Sequence, residues 1–315
     1  MNKITYVSVS SLDEAVAALG AKAAVLAGGT DLLSGLKAMI LPSPPDKVVD
    51  IKNIPNMDYI KEEGGMLKIG ALARLTDIAE SSVVLGKYKS LAQAAKAVGS
   101  PQLRNMGTIG GNLAQEVRCW YYRGEHNCFN CLRKGGPICM AVAGDNTHHA
   151  IMGTQGCFAI SPSDTATALT ALGASIVTTK KTMPIADLFT PLGNSLGDNE
   201  IIKEIQVPTP AAGTKQAFVK FAQRKAIDFA IASAAVSFTE SGGNVSDIKI
   251  AMGGVAPIPY RSTAAETAIK GKVVNTTNAD AAGAEAVKAA IPLANNKYKL
   301  QIAKTMVKRA LLAAS

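Results

Sequence analysis

All five cysteines of this 315-residue chain, its three histidines and its single tryptophan fall between Cys119 and Cys157. Thiols used only as small apolar core residues would be spread along the chain. Their crowding marks a local device, and residues 113–160 around them show neither a helical nor a strand period. The spacing is C-x8-C-x2-C-x7-C-x17-C. Four thiolates can hold a tetrahedral Zn or a [4Fe–4S] cluster. Structural Zn sites usually pair two Cys-x-x-Cys knuckles, and this chain has one, Cys128/Cys131. Wide, irregular spacing suits a cuboidal cluster wrapped by a loop better than a Zn ribbon. Disulfides and unligated buried thiols are the remaining readings. Arg118, Arg123, Arg133 and Lys134 flank the thiols and either offset a cluster's negative charge or stand solvated. His148-His149 reads as an exposed loop pair rather than as ligands.

Apolar residues make up 48% of the chain and charged residues 18%, which fits a globular protein of two or three domains. No apolar run reaches the roughly 18–20 residues that span a bilayer. The start, MNKITYVSVSSLDEAV, has no apolar core before a small-residue cleavage site, so a cytoplasmic protein is expected, where disulfides are disfavoured. The net charge of +9 is scattered and aromatics are only 5%, so no base-stacking platform and no nucleic-acid partner are expected. Attraction to an anionic cofactor is the simpler meaning of the charge.

Element patterns divide the chain. A strand at Tyr6–Val9, a helix at 11–20 capped by Ser11 and closed by a left-handed Gly20, a strand at 23–28, a helix at 32–40 and a strand near Lys47–Ile51 form a βαβ-like portion. Residues 61–72 read as a hairpin turning at Gly64-Gly65. Thr76 is placed to cap a helix through Val84, a second helix ends at Gly99, and 100–112 reads as a loop. Helix and strand return at 165–173 and 174–179, and PTPAAG near 208–213 reads as a linker. Three strands and then three helices (262–270, 278–290, 296–313) follow, the mark of a separate α+β domain.

Two glycine loops carry binding chemistry. In Val25–Asp31 an apolar strand runs into Gly28-Gly29-Thr30 at a helix start, where close backbone approach and free amides favour a phosphate. Asp31 would repel phosphate and is better suited to cap the helix or touch a sugar hydroxyl. Thr108-Ile109-Gly110-Gly111-Asn112 repeats the hydroxyl and the glycine pair and adds a side-chain amide. Two such nests can hold the two phosphates of a dinucleotide, although neither is a Rossmann or P-loop pattern.

Taken in order, AGGTDLL, IGALARLTDI, PQLRNMGTIGGNL and SPSD resemble the FAD-binding medium subunits of the molybdenum hydroxylases, the group of xanthine dehydrogenase and carbon monoxide dehydrogenase. The resemblance implies an α+β protein: a two-subdomain FAD-binding region of the vanillyl-alcohol-oxidase type, then a C-terminal α+β domain of the CO-dehydrogenase flavoprotein type. The expected divisions are 1–55, 56–210 with an insertion at 113–160, and 211–315. The insertion is similar to that of the β subunits of 4-hydroxybenzoyl-CoA reductases. It implies a [4Fe–4S] cluster on Cys119, Cys131, Cys139 and Cys157, with Cys128 spare. For FAD, the resemblance assigns the pyrophosphate loops to Ala27, Gly28, Gly29, Thr30, Asp31, Leu32 and Leu33, and to Thr108, Ile109, Gly110, Gly111 and Asn112. It sets Asp164 near the cofactor and Lys220 near the flavin ring, with Ile69, Gly70 and Ile202 packed against that ring.

The implied role is a relay with no catalytic acid, base or nucleophile of its own. Substrate chemistry would occur on a large molybdopterin-binding subunit, reached through a small [2Fe–2S] subunit, with ferredoxin or NAD as the external carrier. A xanthine dehydrogenase-like subunit and a zinc-stabilised scaffold without flavin are the alternatives.

Overall fold

The computed structural model describes residues 2–315. The chain opens with β1 (Thr5–Ser8), α1 (Leu12–Ala18), β2 (Ala23–Leu26), α2 (Leu32–Ala38) and β3 (Lys47–Asp50). The three strands form a parallel sheet with β3 in the centre. Ser11 caps α1 by accepting from the Glu14 amide, and Glu14 reaches back to the Ser10 amide, so both orphan donors are met. Gly20 is not a left-handed terminator. The helix already ends at Ala18, and Leu19 leaves in extended backbone while its amide closes on Ala15 and Val16.

The second sheet is antiparallel, built on the hairpin of β4 (Ile60–Glu63) and β5 (Met66–Gly70), which turns on Gly64-Gly65 as its sequence predicts. After it come α3 (Leu75–Glu80), α4 (Ser82–Lys87), α5 (Lys89–Ala97), α6 (Pro101–Arg104) and α7 (Ile109–Ala114). The single helix expected from Thr76 to Val84 is two. Thr76 does not cap; it donates to the Asn105 side chain, and Ser81 breaks the helix and caps α4. The loop expected at 100–112 holds α6 and α7, each started by its own hydroxyl, Ser100 and Thr108.

Between Ala114 and Asp164 the only regular elements among the described residues are two single 3-10 turns, at 125–127 and 132–134. The chain resumes with α8 (Asp164–Leu172), β6 (Ser175–Thr178), β7 (Thr182–Pro184), the small ribbon of β8 (Phe189–Thr190) and β9 (Gly193–Asn194), and β10 (Ile202–Pro208). β10 is the centre of the second sheet, in the order β4-β5-β10-β6-β7. A bulge between Ile202 and Glu204 breaks its alternation, which is why no strand is legible there.

The third sheet comprises β11 (Lys215–Phe221), β12 (Ala232–Ser241), β13 (Asn244–Gly253) and β14 (Tyr260–Arg261), in antiparallel sequential order. It is backed by α9 (Thr263–Ile269), α10 (Thr276–Val287) and α11 (Tyr298–Ala314). Val307, Ala310 and Leu311 of α11 share one helical face and are buried in this core. Ile151 and Met152, from the cysteine-rich segment, pack into the same core. α5 and α8 join the second and third sheets through small residues, Ala94, Ala168, Ala171, Ala235 and Ala251, with Phe218 between them. The fold is α+β, and no described helix is long and apolar enough to cross a membrane.

Candidate functional site: a glycine-walled cavity beside a thiol cluster

β2 ends at Leu26, and Ala27–Thr30 turn the chain into α2. Gly28 is required by close approach: a Cβ there would lie 2.1 Å from the Met106 carbonyl oxygen. Gly29 takes a left-handed φ of +72°. Opposite, Thr108 caps α7 by accepting from the Gly111 amide at 3.2 Å, while Ile109 and Gly110 donate to Ala73 and Ala71.

The loops enclose a cavity of about 500 Å³, within the range of cofactor sites. Ala27 through Leu32 line it, as do Thr108, Gly110, Gly111 and Asn112. Leu33 stands outside, largely exposed, and Ile109 is buried in the core. The loops differ in what they offer an anion. The α7 amides, Ile109 to Asn112, are all taken by protein acceptors. Among the described residues, the amides of Gly28, Gly29, Thr30 and Asp31 have none, so the donors open to a phosphate belong to the first loop. The Asn112 carbonyl oxygen accepts from the Ser163 and Thr165 hydroxyls, both at 2.6 Å, which leaves its N–H2 group for a ligand.

The Asp31 side chain does not cap α2, although the residue lines the cavity. Its carboxylate pairs with Arg118 at 2.6 Å and Arg123 at 2.5 Å and accepts from the Glu116 amide at 2.8 Å. The first loop is thereby bound to the start of the cysteine-rich segment. Arg118 also stacks on Phe229, 4.7 Å from the ring centroid, and burial lowers its pKa against the pull of Asp31. Phe229 and Ile227 close the cavity from the loop after β11. Nothing in the sequence marks them, because only folding brings that loop to the wall.

Asp164 and Lys220 meet each other. Asp164 opens α8, and its carboxylate pairs with the Lys220 ammonium at 2.7 Å. Lys220 also donates to the Ala97 carbonyl at 3.0 Å. Burial pushes the Asp164 carboxyl up, opposed by Lys220. Neither residue lines the cavity. Ile202 does, whereas Ile69 is fully buried in the sheet and Gly70 is buried at its end.

A second cavity of about 340 Å³ shares Arg118, Ile227 and Phe229 with the first and reaches Cys119, Trp120 and His149. All five cysteines are free thiols. Cys131 and Cys157 are buried in one small apolar cluster with Val117, Tyr122 and Ala159, and Cys119 packs against it. Burial pushes the Cys119 thiol up to about 11, with Cys139 and Cys131 adding to the rise. The Cys157 thiol is raised by burial too, with the same two neighbours contributing. Cys128 is exposed. No three His, Cys, Asp or Glu side chains among the described residues converge as the ligands of one ion would. The Lys134 ammonium is buried without a hydrogen-bond partner and lies within electrostatic reach of Cys131, Cys128 and Cys119. His149, expected in an exposed pair, is buried at 3% exposure with Nε2 3.1 Å from the Cys119 sulfur; burial pulls it down to about 4.

Residues 2–210 match the FAD binding domain in molybdopterin dehydrogenase, and residues 217–314 match the CO dehydrogenase flavoprotein C-terminal domain. The chain is 33% identical to the aldehyde oxidoreductase FAD-binding subunit PaoB of Escherichia coli, covering 96% of each chain. It is 32% identical to the carbon monoxide dehydrogenase medium chain of Hydrogenophaga pseudoflava, covering 99% of this chain and 97% of that one. A solved structure of carbon monoxide dehydrogenase from that organism superposes with a TM-score of 0.79 over 99% of this chain and 97% of that chain. With both domain matches in sequence order and relatives covering nearly its whole length, the chain belongs to the FAD-binding medium subunits of the molybdenum hydroxylase family, an oxidoreductase flavoprotein.

Proposed function

We propose that this chain relays electrons within a molybdenum hydroxylase-type complex, using FAD held between residues 27–33 and 108–112 and a [4Fe–4S] cluster on Cys119, Cys131, Cys139 and Cys157. The observation that carries the FAD reading is the glycine-walled cavity in which the amides of Gly28, Gly29, Thr30 and Asp31 stand open to a phosphate, and the crowding of five free thiols between Cys119 and Cys157 supports the cluster.

Bound FAD supplies the exchange between two-electron and one-electron traffic. The first loop's four open amides would take the pyrophosphate, and the Asn112 N–H2 group would donate to the cofactor. Asp164 holds Lys220 in a buried pair outside the cavity lining, and the resemblance sets that pair near the flavin. Relatives designated medium chains support a multi-subunit setting. The proposed partners are a large molybdopterin-binding subunit and a small [2Fe–2S] subunit. Ferredoxin as external carrier fits a 4-hydroxybenzoyl-CoA reductase-like complex, and NAD fits a xanthine dehydrogenase-like one.

Anaerobic purification with FAD, iron, sulfide and zinc quantified per chain tests this. One FAD with about four iron and four sulfide is expected. FAD without iron after reconstitution would overturn the cluster, and zinc without flavin would bring the scaffold reading forward. Reduction by ferredoxin but not NADH would select the reductase-like complex.

A further inference from the structure

The second cavity has walls that fit one kind of occupant. At about 340 Å³ it lies within the range of small-molecule sites. One wall is aromatic. Trp120 stands edge-on to His148 at 5.7 Å and to His149 at 5.3 Å, and its indole N–H donates to the Asp145 carbonyl at 3.2 Å, so the ring is held in place. Phe229 lines the cavity as well, and Ile160 and Ile231 add apolar wall. The charged lining is two guanidiniums, Arg118 and Arg224, against one carboxylate, Asp228. That carboxylate is already engaged: it accepts from the Arg224 amide at 2.8 Å and from the Arg224 Nε at 2.9 Å. Arg118 directs one amino group to Asp31 at 2.6 Å and the other to Gln115 at 2.9 Å, and each keeps a second N–H. Asp31 is shared with Arg123, so its single charge does not neutralise both guanidiniums.

We propose that this cavity binds a small aromatic carboxylate, at a site distinct from the glycine-walled cavity. Aromatic rings attract one another in offset-stacked or edge-on contact, which Trp120 and Phe229 offer a flat ligand. The carboxylate takes N–H groups that Arg118 has left over, since a planar guanidinium matches two carboxylate oxygens and a net positive lining favours an anion. Both features are needed: an aliphatic acid forgoes the ring contacts, and an uncharged aromatic forgoes the ion pair. The binding requires neither the thiols nor a metal. Arg118, Ile227 and Phe229 line both cavities, so this ligand and the occupant of the first cavity lie one layer of side chains apart.

The test uses the FAD-loaded full-length chain, in which Trp120 is the only tryptophan and reports on the cavity wall. Benzoate, cyclohexanecarboxylate and benzyl alcohol are titrated against Trp120 emission, and equilibrium dialysis gives the stoichiometry. Benzoate is expected to bind once per chain, to change the emission, and to bind about tenfold more tightly than either control, the scale of one ring contact or one ion pair. Ile231→Phe narrows a wall that belongs to this cavity alone and is expected to lose benzoate while FAD stays. Arg224→Gln, at an exposed position, removes one of the two guanidiniums and is expected to weaken benzoate about threefold. Should Ile231→Phe lose FAD, Arg224→Gln decides. No benzoate binding to the FAD-loaded chain, binding only after FAD is removed, equal binding of cyclohexanecarboxylate, or unchanged affinity in both variants would each overturn the proposal.

Discussion

The glycine-walled cavity and the cysteine-rich segment share Arg118, yet they are ordered by different means. The cavity is made of strand ends and helix starts: β2 into α2 on one side, and α7 on the other with its first amides bonded to Ala71, Ala73 and Thr108. Behind it lies the largest apolar core of the molecule. The segment has two single turns and a small apolar cluster in which thiols are among the main members. Burial and backbone hydrogen bonding suffice to shape the first region without its cofactor. The second has little apolar surface of its own and is tied down by Asp31 and by the anchor from Lys299.

The largest expected effect comes from cutting the tie between them. Asp31→Asn leaves two largely buried guanidiniums facing a neutral amide, a loss of about 3 kcal/mol, at the low end for a buried ion pair that loses one partner. FAD and iron content should fall together; loss of FAD with iron retained would show the two regions to be independent. Next, Gly28→Ala drives a Cβ into the Met106 carbonyl, costing about 1–3 kcal/mol by overpacking, and FAD should be lost while the iron stays. Thr108→Ala removes the α7 cap at about 1 kcal/mol, read as a lower thermal midpoint.

The smallest effect in energy tests the segment alone. In iron-free protein Cys119, pushed up to about 11, is almost wholly protonated at pH 8, with about one thiolate in a thousand, and should resist iodoacetamide while exposed Cys128 reacts first. Because this pKa is raised, reactivity climbs with pH toward 11. Equal labelling of the two at pH 8, read by mass spectrometry, would mean that the segment opens in solution.

The strand–turn–helix from Ala23 to Ala38, the hairpin at Gly64-Gly65 and the three C-terminal helices were legible because each follows local chemistry: apolar period, cap and turn residues. β10 was not, since a bulge hides its period and its place at the sheet centre depends on pairing with β5 and β6. Nor was the meaning of Asp31, whose local context suggests a cap but whose partners lie 87 and 92 residues away.

The same division holds for the site. Local sequence determined which residues could approach a phosphate and which could ligate a metal, because those capacities reside in single side chains and short turns. Tertiary structure decided how they are used. It left the first loop's amides open and closed those of the second, drew Asp164 and Lys220 into a pair, buried His149 against Cys119 and set the Lys134 ammonium over the Tyr122 ring. Such assignments depend on burial and on contacts between residues remote in the chain, and no local pattern encodes either.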